Sequence, residues 1–140
     1  MKSEYIINII ARIHEKYNRM IIAALNEKGI TDLVPSHGEI LYVLHNGERL
    51  TMNEIAQAIN RSKPTVTVLT RKLETAGYIR KRKNETDSRS VYVELSEKGK
   101  QFIPGLFEIS EKMIAQTYKG MSKKTQKEVM AALLTIYHNL

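Results

Sequence analysis

The chain has 140 residues, 42% of them hydrophobic, no cysteine, and a net charge of +7. This length suits one domain with a real core, and the composition is typical of a globular protein rather than a disordered one. The lack of cysteine excludes disulfides, thiolate metal sites and thiol-based redox sensing. No apolar run approaches the roughly 20 residues of a membrane-spanning helix, and the N-terminus shows no signal-peptide pattern, so we expect a cytoplasmic protein.

The excess positive charge lies almost entirely in residues 61–92. This segment has nine Lys and Arg residues against three Asp and Glu residues, which leaves +6 of the total +7. A cationic surface confined to one segment is typical of a protein that binds a polyanion. A basic face that serves only solubility would be spread more evenly along the chain.

The first two predicted elements are helices. From residue 5 to 28, apolar side chains recur every three or four residues and Gly29 ends the pattern, which predicts a long amphipathic helix. A second helix is expected to begin at Pro35-Ser36, with Ser36 and Glu39 forming a capping box, and to end at Asn46-Gly47.

Two short helices follow at helix-turn-helix spacing. Thr51 and Glu54 form a capping box for the third helix, which Asn60 closes. Ser62 caps the fourth helix, and Gly77 ends it. Its predicted outer face carries one charge, hydroxyls and small apolar groups, a combination that suits base edges and thymine methyls in a major groove.

The pattern after Gly77 changes to period two. Residues 78–83 and 91–95 are predicted strands of a hairpin with a polar, basic tip. A fifth helix is expected from Ser96 towards Tyr118, with a kink or break at Pro104-Gly105, and a sixth begins at Ser122. The predicted fold is therefore mainly α with a small β-hairpin wing: a winged helix-turn-helix core flanked by N- and C-terminal helices.

The run from Leu50 to Lys100 resembles the core of the MarR family of transcriptional regulators. Its most specific part is Asp87-Ser88-Arg89 followed by VYVELSEKG, which is similar to the family's D-x-R wing signature and the phrase after it. The resemblance implies a homodimer in which residues 1–30 and 97–140 form a helical dimerisation region. Residues 31–96 would then be the winged helix-turn-helix lobe that binds double-stranded DNA as a ligand-responsive repressor.

The same resemblance implies which residues contact DNA. It assigns the major groove to the start and outer face of the fourth helix: Ser62, Lys63, Pro64, Thr65, Thr67 and Arg71. It assigns the wing contact to Arg89, oriented by Asp87. We add the neighbouring wing residues Arg82, Lys83 and Ser88. The basic run 80–83 could contact phosphates, could be a strand edge kept charged against aggregation, or could do both.

An effector site is a further expectation of the resemblance. A small aromatic or lipophilic molecule would bind between the dimerisation helices and the DNA-binding lobe, against Ile9, Ile13, Tyr17, Ser36, His37, Ile40 and Leu41. The alternative is that these residues are core and hinge packing. We predict no cofactor and no metal site, since the four histidines are dispersed. No catalytic motif is present, so we predict no enzyme. A winged helix that binds a protein partner is the competing function.

Overall fold

The computed structural model describes residues 5–140. The chain divides into two compact units, residues 1–109 and 110–140. The helices of the described part are α1 Ile6–Glu27, α2 Pro35–Val43, α3 Met52–Ile59, α4 Lys63–Thr75, α5 Glu97–Thr117 and α6 Lys123–Asn139. The strands are β1 Leu50–Thr51, β2 Ile79–Lys83 and β3 Val91–Leu95. This mainly helical fold with a small antiparallel sheet confirms the predicted fold class.

Helix α1 has the predicted length, but its apolar stripe is largely exposed. Leu25 is buried near its C-terminal end, and Gly29 follows with a φ of +74°. Towards the N-terminal end, the side chains of Ile7, Ile10 and Ile13 are 76%, 40% and 46% exposed. Helix α1 therefore leaves much of its apolar surface exposed within the described part of the chain.

The start of α2 differs from the prediction. Ser36 is not the cap, because the helix begins at Pro35 and Val34, two residues before Ser36, holds the N-cap position in an extended conformation. The backbone N–H of Val34 donates to Nδ1 of His37 at 3.0 Å. Proline suits the first helical position because its φ is already helical and its missing N–H would have no partner there. Ser36 consequently lies inside the first turn.

The next two helices begin where the sequence predicts. Thr51 accepts from the N–H of Glu54 at 3.2 Å, and the Glu54 carboxylate accepts from the N–H of Thr51 at 2.7 Å, which completes the predicted capping box. Asn60 closes α3 with a left-handed φ of 52°. Ser62 Oγ accepts from the N–H of Thr65 at 3.3 Å at the start of α4. The core side chains of α2, α3 and α4, and of the residue that caps the end of α2, are fully buried: Ile40, Leu41, Leu44, Ile55, Val66 and Leu73.

The sheet has three strands rather than the predicted two. β1 pairs antiparallel with β3, Leu50 opposite Val93, so the strand order is β1-β3-β2. β2 pairs with the other edge of β3 in the register Ile79 with Leu95 and Lys83 with Val91. A strand of two residues is too short to show an alternating pattern in sequence, which is why β1 was not predicted.

Helix α5 is continuous from Glu97 to Thr117 with Pro104 inside it, so of the predicted kink or break at Pro104-Gly105, the break is wrong. Proline removes one hydrogen bond of the ladder, and packing on both sides of it holds the helix together. The Phe102 ring meets that of Tyr78 edge-on at 5.8 Å between centroids. Leu106 lies so close to Gly38 that a Cβ there would meet its Cδ1 at 3.4 Å.

Residues 110–140 contain the end of α5, a turn and α6. Gly120 has a φ of +80° in the turn, and Ser122 Oγ accepts from the N–H of Thr125 at 3.1 Å, as the predicted cap requires. No residue of α6 is buried. Its apolar stripe, which includes Met130, Leu133, Leu134 and Tyr137, is between 47% and 58% exposed.

Candidate nucleic-acid interface

Helix α4 has one buried side and one exposed side. Val66, Leu69, Thr70 and Leu73 are buried, and the Thr70 hydroxyl donates to the carbonyl of Val66 at 2.8 Å, so this polar group is satisfied inside the core. The exposed side carries the residues that could meet a ligand: Lys63, Pro64, Thr65, Val68, Arg71 and Thr75. This face is mixed in chemistry, with two positive charges among hydroxyl and small apolar groups.

Two hydroxyl groups of the predicted set already have roles within the helix. Ser62 caps the helix and lies 2.9 Å from the hydroxyl of Thr65. The hydroxyl of Thr67 donates to the carbonyl of Lys63 at 2.9 Å, and the residue is half-buried. Thr67 therefore offers an outside partner its methyl group and the free lone pairs of its oxygen rather than a proton.

The basic residues of the lobe fall into two groups. Several are held in ion pairs: Arg61 with Glu39 at 3.4 Å, Lys81 with Glu74 at 3.9 Å, Arg80 with Glu94 at 3.7 Å and Arg82 with Glu94 at 2.6 Å. Within the described residues 5–140, no carboxylate lies within ion-pair distance of the other basic residues of the lobe, which are Arg49, Lys63, Arg71, Lys72, Lys83 and Arg89. In this second group, Lys63 and Arg71 with Lys83 and Arg89 span the start of α4, its exposed face and the wing.

The tip of the wing is held by turns built from side chains. Asp87 Oδ1 accepts from the backbone N–H of Arg89 at 3.0 Å. Asn84 Oδ1 accepts from the N–H of Thr86 at 3.0 Å, and Asn84 Nδ2 donates to Ser90 Oγ at 2.9 Å. The carboxylate of Asp87 thus fixes the backbone at Arg89, whereas we expected it to hold the guanidinium. Ser88 is exposed between them, and the Arg89 side chain extends from an ordered turn.

The residues of the expected effector site differ in burial. His37, Ile40 and Leu41 are buried in α2, and Ser36 is half-buried. On α1, Ile9 and Tyr17 are half-buried and Ile13 is exposed. Core packing alone accounts for the full burial of Ile40 and Leu41. Their burial therefore does not favour an effector site over the alternative that these residues are core packing.

His37 is the unusual member of this group. The residue is 1% exposed; its Nδ1 accepts from the N–H of Val34, and its Nε2 has no hydrogen-bond partner among the described residues. Burial lowers the pKa of His37 from 6.5, and the charge of Lys72 lowers it further, while Asp32 acts in the opposite direction. With Nδ1 as acceptor, the neutral ring carries its proton on Nε2.

Sequence reasoning missed a polar cluster beside the core. The Tyr78 hydroxyl donates to Asp32 at 3.4 Å, and Lys98 Nζ lies 4.3 Å from the centre of the Tyr78 ring. Burial raises the pKa of Tyr78, and the carboxylate of Asp32 raises it further. Lys98 also donates to the carbonyl of Ala76 at 2.6 Å. These residues are far apart in sequence, so no local pattern could have indicated the contacts.

Comparisons with known proteins agree with this geometry. Residues 33–91 match the model of the MarR family. The helix-turn-helix transcriptional regulator YfiV of Bacillus subtilis is 28% identical over 95 residues, which are 68% of this chain and 59% of YfiV. The transcriptional repressor IacR of Pseudomonas putida is 21% identical over 131 residues, 94% of this chain and 77% of IacR. The chain thus spans less than two thirds of the length of YfiV.

Solved structures support the same fold. The chain is similar to MepR of Staphylococcus aureus in a complex with DNA, with a TM-score of 0.86, 22% identity, and coverage of 100% of this chain and 99% of MepR. This similarity establishes the winged-helix fold. In residues 5–140, none of the helices combines the length and apolar character needed to cross a membrane.

Proposed function

The chain belongs to the MarR family of transcriptional regulators, and on this premise we propose that it is a sequence-specific DNA-binding regulator. The family consists of regulators rather than enzymes, which confirms the prediction that the chain is not an enzyme. We further propose a cytoplasmic homodimer that occupies a pseudo-palindromic operator, represses transcription, and is released by a small aromatic or lipophilic effector.

The observation that carries the proposal is the set of cations without internal partners. Lys63 and Arg71 on α4, with Lys83 and Arg89 on the wing, combine with an exposed helical face of hydroxyl and apolar groups. The major groove is about 12 Å wide and admits an α-helix. A narrow minor groove concentrates negative potential that attracts arginine. One helix and one arginine-bearing turn therefore match two adjacent features of the DNA.

The proposed homodimer is supported by the apolar surface of each compact unit. The stripe of α1 leaves Ile7, Ile10 and Ile13 exposed, and that of α6 leaves Leu134 and Tyr137 exposed. Large apolar side chains exposed along a helix stripe mark an interaction site when they form a contiguous patch, which is uncommon on a monomer. A second copy supplies the same apolar stripes and a C2 axis, and a C2 axis is what a pseudo-palindromic operator requires.

The proposed effector response is supported by the buried ring of His37. Its Nε2–H lacks a partner in the described chain, and a buried donor without a partner is costly. A ligand with an acceptor oxygen on an aromatic or lipophilic body would satisfy it. If such a ligand binds best to a form that does not fit the operator, binding of ligand and of DNA oppose each other by linkage.

The test is selection of binding sites from a random duplex pool, followed by a salt titration on the selected sequence. We expect an inverted repeat with half-sites about one helical turn apart and a steep fall of log K with log salt. A steep salt dependence without an enriched sequence would reduce the proposal to non-specific DNA binding. No binding to the pool even at low salt would overturn it in favour of a protein partner.

A further inference from the structure

The outer face of the sheet carries a cationic cluster beside the proposed interface. In an antiparallel pair, opposite residues share a face, so the register Arg80 with Glu94 and Arg82 with Tyr92 puts these four side chains together. The alternate residues, including Lys81 and its buried partner Val93, face the core. We name Arg80, Arg82 and Glu94 the outer-face trio.

Glu94 is the least exposed member of the trio. Its side chain is 18% exposed, against 54% and 55% for Arg80 and Arg82. Oε1 of Glu94 lies 2.6 Å from Nε of Arg82 and 3.7 Å from an Nη of Arg80. This Oε1 atom has no hydrogen-bond partner among the described residues, so its contacts with the two guanidinium groups are charge interactions without hydrogen-bond alignment. A phosphate, which is also negatively charged, can compete with Glu94 for both guanidinium groups through the same charge interaction.

The trio lies within reach of the DNA that the wing would contact. Arg82 is two residues from Asn84, where the turn that carries Arg89 begins. At a rise of about 3.3 Å per residue, that separation is about 7 Å. Arg80 lies two residues further along β2, about 13 Å from Asn84 at the same rise, so flanking phosphates of DNA that accepts Arg89 would lie nearer to Arg82 than to Arg80.

We infer that Glu94 limits DNA affinity by competing with backbone phosphates for Arg80 and Arg82. This inference rests on the proposed DNA-binding function. The trio has a net charge of +1, and removal of the carboxylate raises it to +2. Phosphate contacts carry no sequence information, so Glu94 restrains affinity for all duplexes, including random ones. A regulator benefits because the genome presents a large excess of non-specific sites.

The test compares Glu94→Gln with Glu85→Gln by fluorescence anisotropy on a labelled duplex of random sequence over a salt series. Glu85 lies exposed on the same hairpin, and the described residues offer it no ion pair, so both changes remove one negative charge near the DNA. One additional neutralised phosphate steepens the salt slope by about 0.9, which corresponds at 0.1 M salt to an affinity gain of about 8-fold. We expect this gain for Glu94→Gln and a smaller one for Glu85→Gln.

A double-mutant cycle assigns the gain to the trio. In an Arg80→Gln, Arg82→Gln background, Glu94→Gln should raise DNA affinity no more than Glu85→Gln does. The inference is overturned if the affinity gain persists in that background, or if both Gln variants gain affinity equally. It is also overturned if Glu94→Gln binds DNA more weakly than the wild type, which would mean that Glu94 positions Arg82 for binding. Thermal unfolding checks each variant, and Glu94→Thr replaces Glu94→Gln if the latter does not fold. If the wild-type protein binds no duplex, the proposed function itself is contradicted. If it binds with a steep salt dependence but Glu94→Gln and Glu85→Gln raise affinity equally, only the inference about Glu94 is contradicted.

Discussion

Replacement of Arg71 tests whether α4 reads base edges. Arg71 lies on the exposed side of the helix, and the described residues give it no ion pair. Its removal therefore costs the folded protein little, and a change in DNA binding reports the contact itself. For a bidentate base contact, Arg71→Ala should cost about 1–3 kcal/mol, or roughly 5- to 150-fold in Kd on the selected operator.

The choice of the replacing residue distinguishes a base contact by Arg71 from a contact that depends only on its charge. Arg71→Lys keeps the charge but loses the planar fork that binds guanine bidentately. It should retain affinity for random DNA and lose preference at the one base position that Arg71 contacts. Arg19→Ala is the matched control, because Arg19 is exposed on α1 and pairs only weakly with Glu15 at 3.7 Å.

The assay is competition anisotropy with a panel of operators, each substituted at one position. The wild-type protein should discriminate between bases at the position that Arg71 contacts, and neither Arg71 variant should do so. If Arg71→Lys retains the full base preference, Arg71 does not read a base. If Arg71→Ala weakens selected and random duplexes by the same factor, it is a phosphate contact only.

Three further predictions concern the wing, the dimer and His37. Arg89→Ala should weaken operator binding and leave the dimer intact by light scattering; a monomeric variant would show that the wing lies in the subunit interface. Leu134→Lys on the exposed stripe of α6 should shift the dimer to monomer by light scattering while helical circular dichroism persists; an unchanged dimer places the interface elsewhere. The folded-state pKa of His37 is lowered from 6.5 by burial and by Lys72, against the opposing effect of Asp32. Its contribution to stability is therefore present above about pH 6.5 and is lost as pH falls through the lowered pKa. His37→Asn keeps an acceptor for the N–H of Val34 without titrating, so urea unfolding should show less acid destabilisation than wild type or the exposed-site control His14→Asn. Equal pH profiles would contradict this account.

Local signals were sufficient to determine the helices and most of their ends. The caps at Thr51, Ser62 and Ser122 and the positive-φ glycines lie where the sequence predicts them, because each depends on residues within three or four positions. The buried side of α4 followed from helical periodicity for the same reason. The cap of α2 was misplaced by two residues, Ser36 instead of Val34, because proline at the first helical position outweighed the cap that Ser36 offered.

The tertiary structure decided everything that depends on residues far apart in the chain. Strand β1 exists because Leu50 and Thr51 pair with β3 about 40 residues later, and two residues carry no period of their own. Pro104 stays inside a continuous helix because contacts on both sides of it outweigh one lost hydrogen bond. The basic run 80–83 looked uniform in sequence, yet strand register divides it between the core face and the outer face. Which cations are free for DNA, and which a carboxylate already holds, is fixed by that pairing, since charge interactions depend on distance in space rather than in sequence.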